Sequence, residues 1–127
     1  MSADVSMADA SSHVEDGIIV DEDKIVILPG MSTDGSAATF QIKEEDHTLG
    51  NALRYMIMKN PDVEFCGYSI PHPSEALMNL RIQTYGDVTA LEALKKGLQD
   101  LTDVCDVVET KFRERYEEAD FSLEEPQ

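Results

Sequence analysis

The chain has 127 residues, with 26 acids against 10 bases and a net charge of −16. That length suits one domain rather than two, and a chain this acidic lacks the clustered basic surface on which direct nucleic-acid binding depends. No apolar run approaches the length of a membrane helix, and the opening MSADVSMADA lacks the charged and apolar regions of a secretion signal, so an intracellular protein is expected.

The acid is concentrated at the ends. Residues 1–23 carry seven acids and residues 116–127 carry five, with no Lys or Arg in either stretch. Segments of this composition bury too little apolar surface to offset the entropy of ordering, so both are expected to be disordered tails. Residues 24–115 hold the remaining 14 acids and all 10 bases, an ordinary surface balance, and are expected to form one domain.

Within that domain, Lys24-Ile25-Val26-Ile27-Leu28 suits a strand closed by a turn at Pro29-Gly30, and Ser32–Ser36 is loop chemistry. Ala38, Phe40 and Ile42 alternate with Thr39, Gln41 and Lys43, which predicts a second strand with one face buried. From Asp46 the period changes. Leu49, Leu53, Met56 and Ile57 line one side of a helix that Asp46 or Thr48 would cap and that Asn60-Pro61 would stop. Gly50, unfavourable near a helix start, is read as permitting close approach of another backbone.

Val63–Ile70 predicts a third strand with Cys66, Tyr68 and Ile70 on one face and Val63 and Phe65 on the other. Apolar on both sides, it is expected to be central in the sheet. After the stiff Pro71-His72-Pro73 loop, Met78, Leu80 and Ile82 alternate with polar residues in a fourth strand, which Tyr85-Gly86 breaks. A long helix then runs from Asp87 to about Arg115, with Asp87 a possible cap and Thr89–Glu92 matching a capping box. The order β-β-α-β-β-α implies an α+β domain, a four-stranded sheet with two helices on one face.

The last helix carries the strongest signal. Leu91, Leu94, Leu98, Leu101, Cys105, Val108 and Phe112 recur at steps of three and four, a heptad seam. At 1.5 Å per residue the helix is about 43 Å long, whereas a domain of about 90 residues is only about 30 Å across. Such a stripe outruns its own core, so its partner is expected on another chain.

Motifs for chemistry are missing. There is no Gly-x-Ser-x-Gly elbow and no dinucleotide or Walker glycine pattern, and no cofactor is expected. His13, His47 and His72 stand apart from any Cys or second His at ligand spacing, so no metal site is expected. The acids Glu44, Glu45 and Asp46 read as a solvated helix start, His47 and His72 as structural, and Cys66 and Cys105 as buried thiols.

The string Asp46-His47-Thr48-Leu49-Gly50-Asn51-Ala52-Leu53-Arg54 resembles the alpha motif of the small alpha-like subunits of RNA polymerase. The likeness continues through Phe65-Cys66-Gly67-Tyr68-Ser69-Ile70-Pro71-His72-Pro73 and Leu80-Arg81-Ile82-Gln83-Thr84, and covers about residues 24–115. Within that family, Tyr68–Glu75 and the acidic extension are most similar to the branch shared by polymerases I and III, with the polymerase II branch as the alternative. The resemblance implies a noncatalytic assembly subunit that heterodimerises with a larger alpha-like subunit, forming the platform for the catalytic subunits in rRNA, 5S rRNA and tRNA transcription. It implies a nuclear and nucleolar location, contacts with other polymerase subunits, DNA met only through the assembled enzyme, and no membrane. By the same resemblance, Leu49, Gly50, Leu53, Met56 and Ile57 would form the first-helix contact, and the seven seam residues the second. Two other classes stay open on the residues alone: a homodimeric ligand-binding α+β protein, and an acidic adaptor working through its tails.

Overall fold

The computed structural model describes residues 12–15 and 18–118. A short antiparallel pair, β1 (Ser12–Glu15) and β2 (Ile18–Asp21), precedes the domain. It lies inside the stretch expected to be a disordered tail, of which residues 1–11 and 16–17 lie outside the described residues. The apolar run Ile18-Ile19-Val20 supplies the β-branched residues a strand favours.

The domain itself runs β3 (Ile25–Ile27), β4 (Ala37–Lys43), α1 (His47–Met58), β5 (Val63–Ser69), β6 (Leu77–Thr84) and α2 (Ala90–Glu118). Its four strands form one antiparallel sheet in the order β3-β4-β6-β5. Alternation sets the faces. Ala38, Phe40 and Ile42 on β4 stand opposite Ile82, Leu80 and Met78 on β6, and all six are buried. The intervening Thr39, Gln41, Asn79 and Arg81 turn to the other face, where Arg81 Nη1 donates to Thr39 Oγ1 at 3.3 Å and Gln41 Nε2 to Asn79 Oδ1 at 3.3 Å.

β5 is an edge strand and not a central one. A register shift between Val63 and Phe65 sets two residues of β5 against one of β6, so Val63 pairs with Thr84 and Phe65 with Gln83. The bulge brings Val63 onto the same face as Cys66, where both are buried, and leaves Phe65 on the outer face, 46% exposed. The apolar character on both sides that suggested a central strand comes from this one-residue slip.

Both helices cover the same face of the sheet. Asp46 caps α1, its carboxylate accepting the Thr48 N–H at 2.8 Å, and this bond holds the Asp46 pKa below the ordinary carboxylate value. α2 begins with a reciprocal capping box: Thr89 N–H donates to Glu92 Oε2 and Glu92 N–H to Thr89 Oγ1, both at 3.1 Å. The helix has the expected length of 29 residues but is shifted three toward the C-terminus, so the acidic tail begins later; residues 119–127 lie outside the described residues.

Two helix glycines make these contacts possible. A Cβ at Gly50 would lie 2.7 Å from both Met78 Sδ and the Tyr68 ring, so this glycine admits side chains of the sheet and not another backbone. A Cβ at Gly97 would lie 2.4 Å from Ile57 Cγ1 and 3.6 Å from Leu53 Cδ1, so α2 crosses α1 at Gly97. Gly97→Ala is expected to destabilise the chain by about 1–3 kcal/mol through overpacking, a fall in Tm of about 5–20 °C by circular dichroism. A variant melting with wild type would mean that the helices do not meet there.

The loop before β4 fastens α2 to the sheet. Asp34 accepts from the Ser36 N–H at 3.0 Å, Ser36 Oγ at 2.7 Å and Ser32 Oγ at 2.8 Å, and these bonds lower its pKa from 3.8 to about 2. The carbonyls the loop presents then receive the Ala90 N–H (Gly35 O, 2.8 Å) and the Thr84 N–H (Ser36 O, 2.8 Å). Because the folded pKa is depressed, this contribution is present above the unfolded value of 3.8 and is lost as pH falls toward about 2. Asp34→Asn should remove that part of the acid sensitivity, seen as a shallower loss of stability in acid titrations of the variant than of wild type.

Candidate partner interface

Burial divides the residues expected at the interface into two groups. Gly50, Leu53 and Ile57 of α1 and Leu94 of α2 are buried in the chain's own core, together with Ala90, Ala93 and Gly97. Leu49 and Leu98 pack against that core as half-buried residues. Reading Gly50, Leu53, Ile57 and Leu94 as partner contacts therefore needs correction: the sheet they cover is their own. A stripe shows that a helix buries a face without saying which surface it meets.

What is left over is open. Met56 and Leu101 are half-buried and Leu91 exposed, and every residue from Thr102 to Glu118 is exposed. That overhang of 17 residues is about 25 Å long at 1.5 Å per residue. Along it the spacing that buries Leu94 and Gly97 continues through Leu101, Val104, Cys105, Val108 and Phe112, with Val108 63% and Phe112 70% exposed. The Phe112 and Tyr116 rings stack at 6.4 Å, one turn apart.

Between the helices the same stripe opens into an apolar groove of about 620 Å³. Ala52, Tyr55 and Met56 form its α1 wall and Leu101 and Val104 its α2 wall, with His47, Thr48, Asn51 and Lys59 at the rim. Tyr55 is 61% exposed and carries the Lys59 ammonium 4.6 Å above its ring. Ala52, Tyr55, Val104, Val107 and Tyr116 were not anticipated from the sequence. The available signal was a second α1 stripe, Ala52-Tyr55-Met56-Lys59, offset from the core stripe Leu49-Leu53-Ile57.

The two thiols differ. Cys66 is buried as expected, and burial raises its pKa to about 11 although the Arg54 charge pulls it down. Cys105 is exposed on the overhang, contrary to the expectation of a buried thiol.

His47 and His72 have local partners. His47 Nδ1 lies 2.8 Å from the Tyr68 hydroxyl. The His72 Nδ1 accepts the Ser74 N–H at 3.2 Å, and Glu45 pairs with Lys24 at 3.0 Å. Among the described residues no group of three His, Cys, Asp or Glu is placed to hold a metal, and no helix is long and apolar enough to cross a membrane.

Comparison with known proteins agrees with this geometry. The family described as RNA polymerase Rpb3/Rpb11 dimerisation domain matches residues 37–111. The chain is 71% identical over 96 residues to DNA-directed RNA polymerases I and III subunit RPAC2 of Saccharomyces cerevisiae, covering 75% of this chain and 68% of that one. The protein of the same name from Schizosaccharomyces pombe is 67% identical over 93 residues, 73% of this chain and 74% of that one. Among solved structures, DNA-directed RNA polymerase subunit L of Thermoplasma acidophilum superposes with a TM-score of 0.62 at 20% identity, over 78% of this chain and 96% of that one, a likeness of fold.

The division into core and overhang gives opposite outcomes for two similar substitutions. Leu53→Asp places an unpaired charge in the core and is expected to cost about 3–5 kcal/mol, a large share of the about 5–15 kcal/mol that holds a small domain folded, and so to lower Tm by more than about 10 °C. Phe112→Asp is expected to leave Tm within a few degrees of wild type, since the ring touches no core residue. Thermal melts of both variants separate the two groups.

Proposed function

We propose, on the premise that this chain belongs to the RNA polymerase Rpb3/Rpb11 dimerisation-domain family, that it is a noncatalytic assembly subunit of DNA-directed RNA polymerases I and III. Its relatives in two yeasts and in Danio rerio, at 60–71% identity, are named as subunits of those two enzymes. In this reading it pairs with a larger alpha-like subunit, helps form the platform for the catalytic subunits in the nucleus and nucleolus, and meets DNA only through the assembled enzyme.

The observation that carries the reading is the α2 overhang with its open apolar stripe. Leu101, Val104, Val107, Val108 and Phe112 would each gain about 1.5–3 kcal/mol on burial, roughly 7–15 kcal/mol before the costs of association and ordering. Residues 100–110 carry Asp100, Asp103, Asp106 and Glu109 with no base, but Asp100 and Glu109 pair within the helix, with Lys96 at 2.7 Å and with Arg113.

Co-expression with the larger alpha-like subunit tests the proposal. Wild type is expected to co-purify in equal amounts, Phe112→Asp and Val108→Asp to lose at least 90% of the bound partner, and iodoacetamide to label Cys105 in the free chain but not in the pair. Unchanged recovery of both variants with Cys105 still open to the reagent would contradict it.

A further inference from the structure

The two edges of the sheet are treated differently. On β5 the bulge interrupts the edge, and the outward Cys66 carbonyl accepts Arg54 Nε at 3.2 Å. On β3 no such device covers the edge among the described residues. The Leu28 N–H donates to Thr39 O and the Lys43 N–H to Lys24 O, so the even-numbered residues of β3 face β4 and the main-chain groups of Ile25 and Ile27 point away from the sheet. Among the described residues these outward groups have no hydrogen-bond partner. Ile25, Val26 and Ile27 are moreover 39%, 40% and 44% exposed, three adjacent β-branched residues with no charge among them.

The chain's own β2 is the nearest strand that could pair there, and it does not. A tight turn joins the two, with Lys24 N–H donating to Asp21 O at 3.1 Å and Asp23 N–H to Asp21 Oδ1 at 2.9 Å. Neither Glu22 nor Asp23 has a positive φ, so the turn is not of the primed type whose twist brings flanking strands together. β2 pairs with β1 in a separate sheet.

We infer that the free edge of β3 receives an extended segment of another polypeptide, apolar at alternate positions and carrying Lys or Arg at the end that lies beside Asp21–Asp23. Main-chain groups of Ile25 and Ile27 supply the hydrogen bonds of strand addition, their side chains supply apolar contact, and the exposed acids Asp21 and Asp23 fix the polarity. A second copy of this chain fits poorly. Each copy carries −16, and the residues after Leu28, Pro29-Gly30-Met31, offer no base to those acids. This attachment is separate from the helix stripe and does not depend on it.

Residue-resolved hydrogen exchange on the full chain, free and in the complex purified with it from cells, reads the edge directly. The Ile25 and Ile27 amides are expected to exchange at least tenfold more slowly in the complex, while the Val26 and Leu28 amides are protected in both. Carbodiimide, which joins carboxylates to lysine amines, is expected to link Asp21–Asp23 to a segment of this character in another chain. Ile27→Pro deletes an outward donor without touching the β4 ladder and should abolish the added protection at Ile25 and the link, whereas Ile27→Thr should keep both. Open exchange at Ile25 and Ile27 in the complex, an Ile27→Pro variant that cross-links as wild type does, or a link to a second copy of this chain would each overturn the inference.

Discussion

The crossing of α2 over α1 at Gly97 governs where the rest of the molecule points. Only a residue without a Cβ lets the α2 backbone settle against Ile57 and Leu53, and that contact sets the line along which the helix leaves the domain. Upstream of the crossing, Ala90, Ala93 and Leu94 are pinned to the sheet; downstream, beyond Leu101, every described residue of the helix is exposed. Small residues at the contact and large ones beyond it produce a helix anchored at one end and offered at the other.

α1 is the second half of the same arrangement. Its Leu49-Leu53-Ile57 face is spent on the sheet, with Gly50 allowing Met78 and Tyr68 to come close, and the adjacent Ala52-Tyr55-Met56 face is turned toward the groove beside α2. The available surface is therefore a continuous strip from α1 across the groove and out along α2. A strip shared by two helices suits a partner that also brings helices, and the family that the chain belongs to is described as a dimerisation domain.

Much of this was legible in the residues. The alternation in β4 and β6, the Asp46 cap and the Thr89–Glu92 capping box follow local rules of period and hydrogen bonding and stand where they were expected, while the overlong last helix has the expected length but starts at Ala90 rather than at Asp87. Three features were not legible, each for a physical reason. The bulge in β5 is a register property of two strands, and in the periodicity of one strand its phase break reads as apolar residues on both faces. The division of an apolar stripe between core and partner depends on where the helix leaves the sheet, and that is set by Gly97, a residue a heptad count passes over. The strand pair at Ser12–Asp21 sits in a run whose acidity outweighed its Ile18-Ile19-Val20 core.

The overhang also constrains how the partner can bind. A helical segment of 17 residues, all of them exposed, is marginal in water. What holds it in the free chain are spaced pairs on its surface: Arg113 with Glu109, Lys111 with Glu114 at 3.8 Å and Arg115 with Glu118 at 3.3 Å, with Gln99 donating to Asp103 at 2.9 Å at its base. Exposed pairs of this kind contribute about 0.3–0.5 kcal/mol each, far below the roughly 7–15 kcal/mol gross available from burying the stripe. Ordering the far turns and burying Val108 and Phe112 are consequently one event. The surface pairs lower the ordering cost that the partner must offset, and the apolar stripe determines whether the pairing is stable.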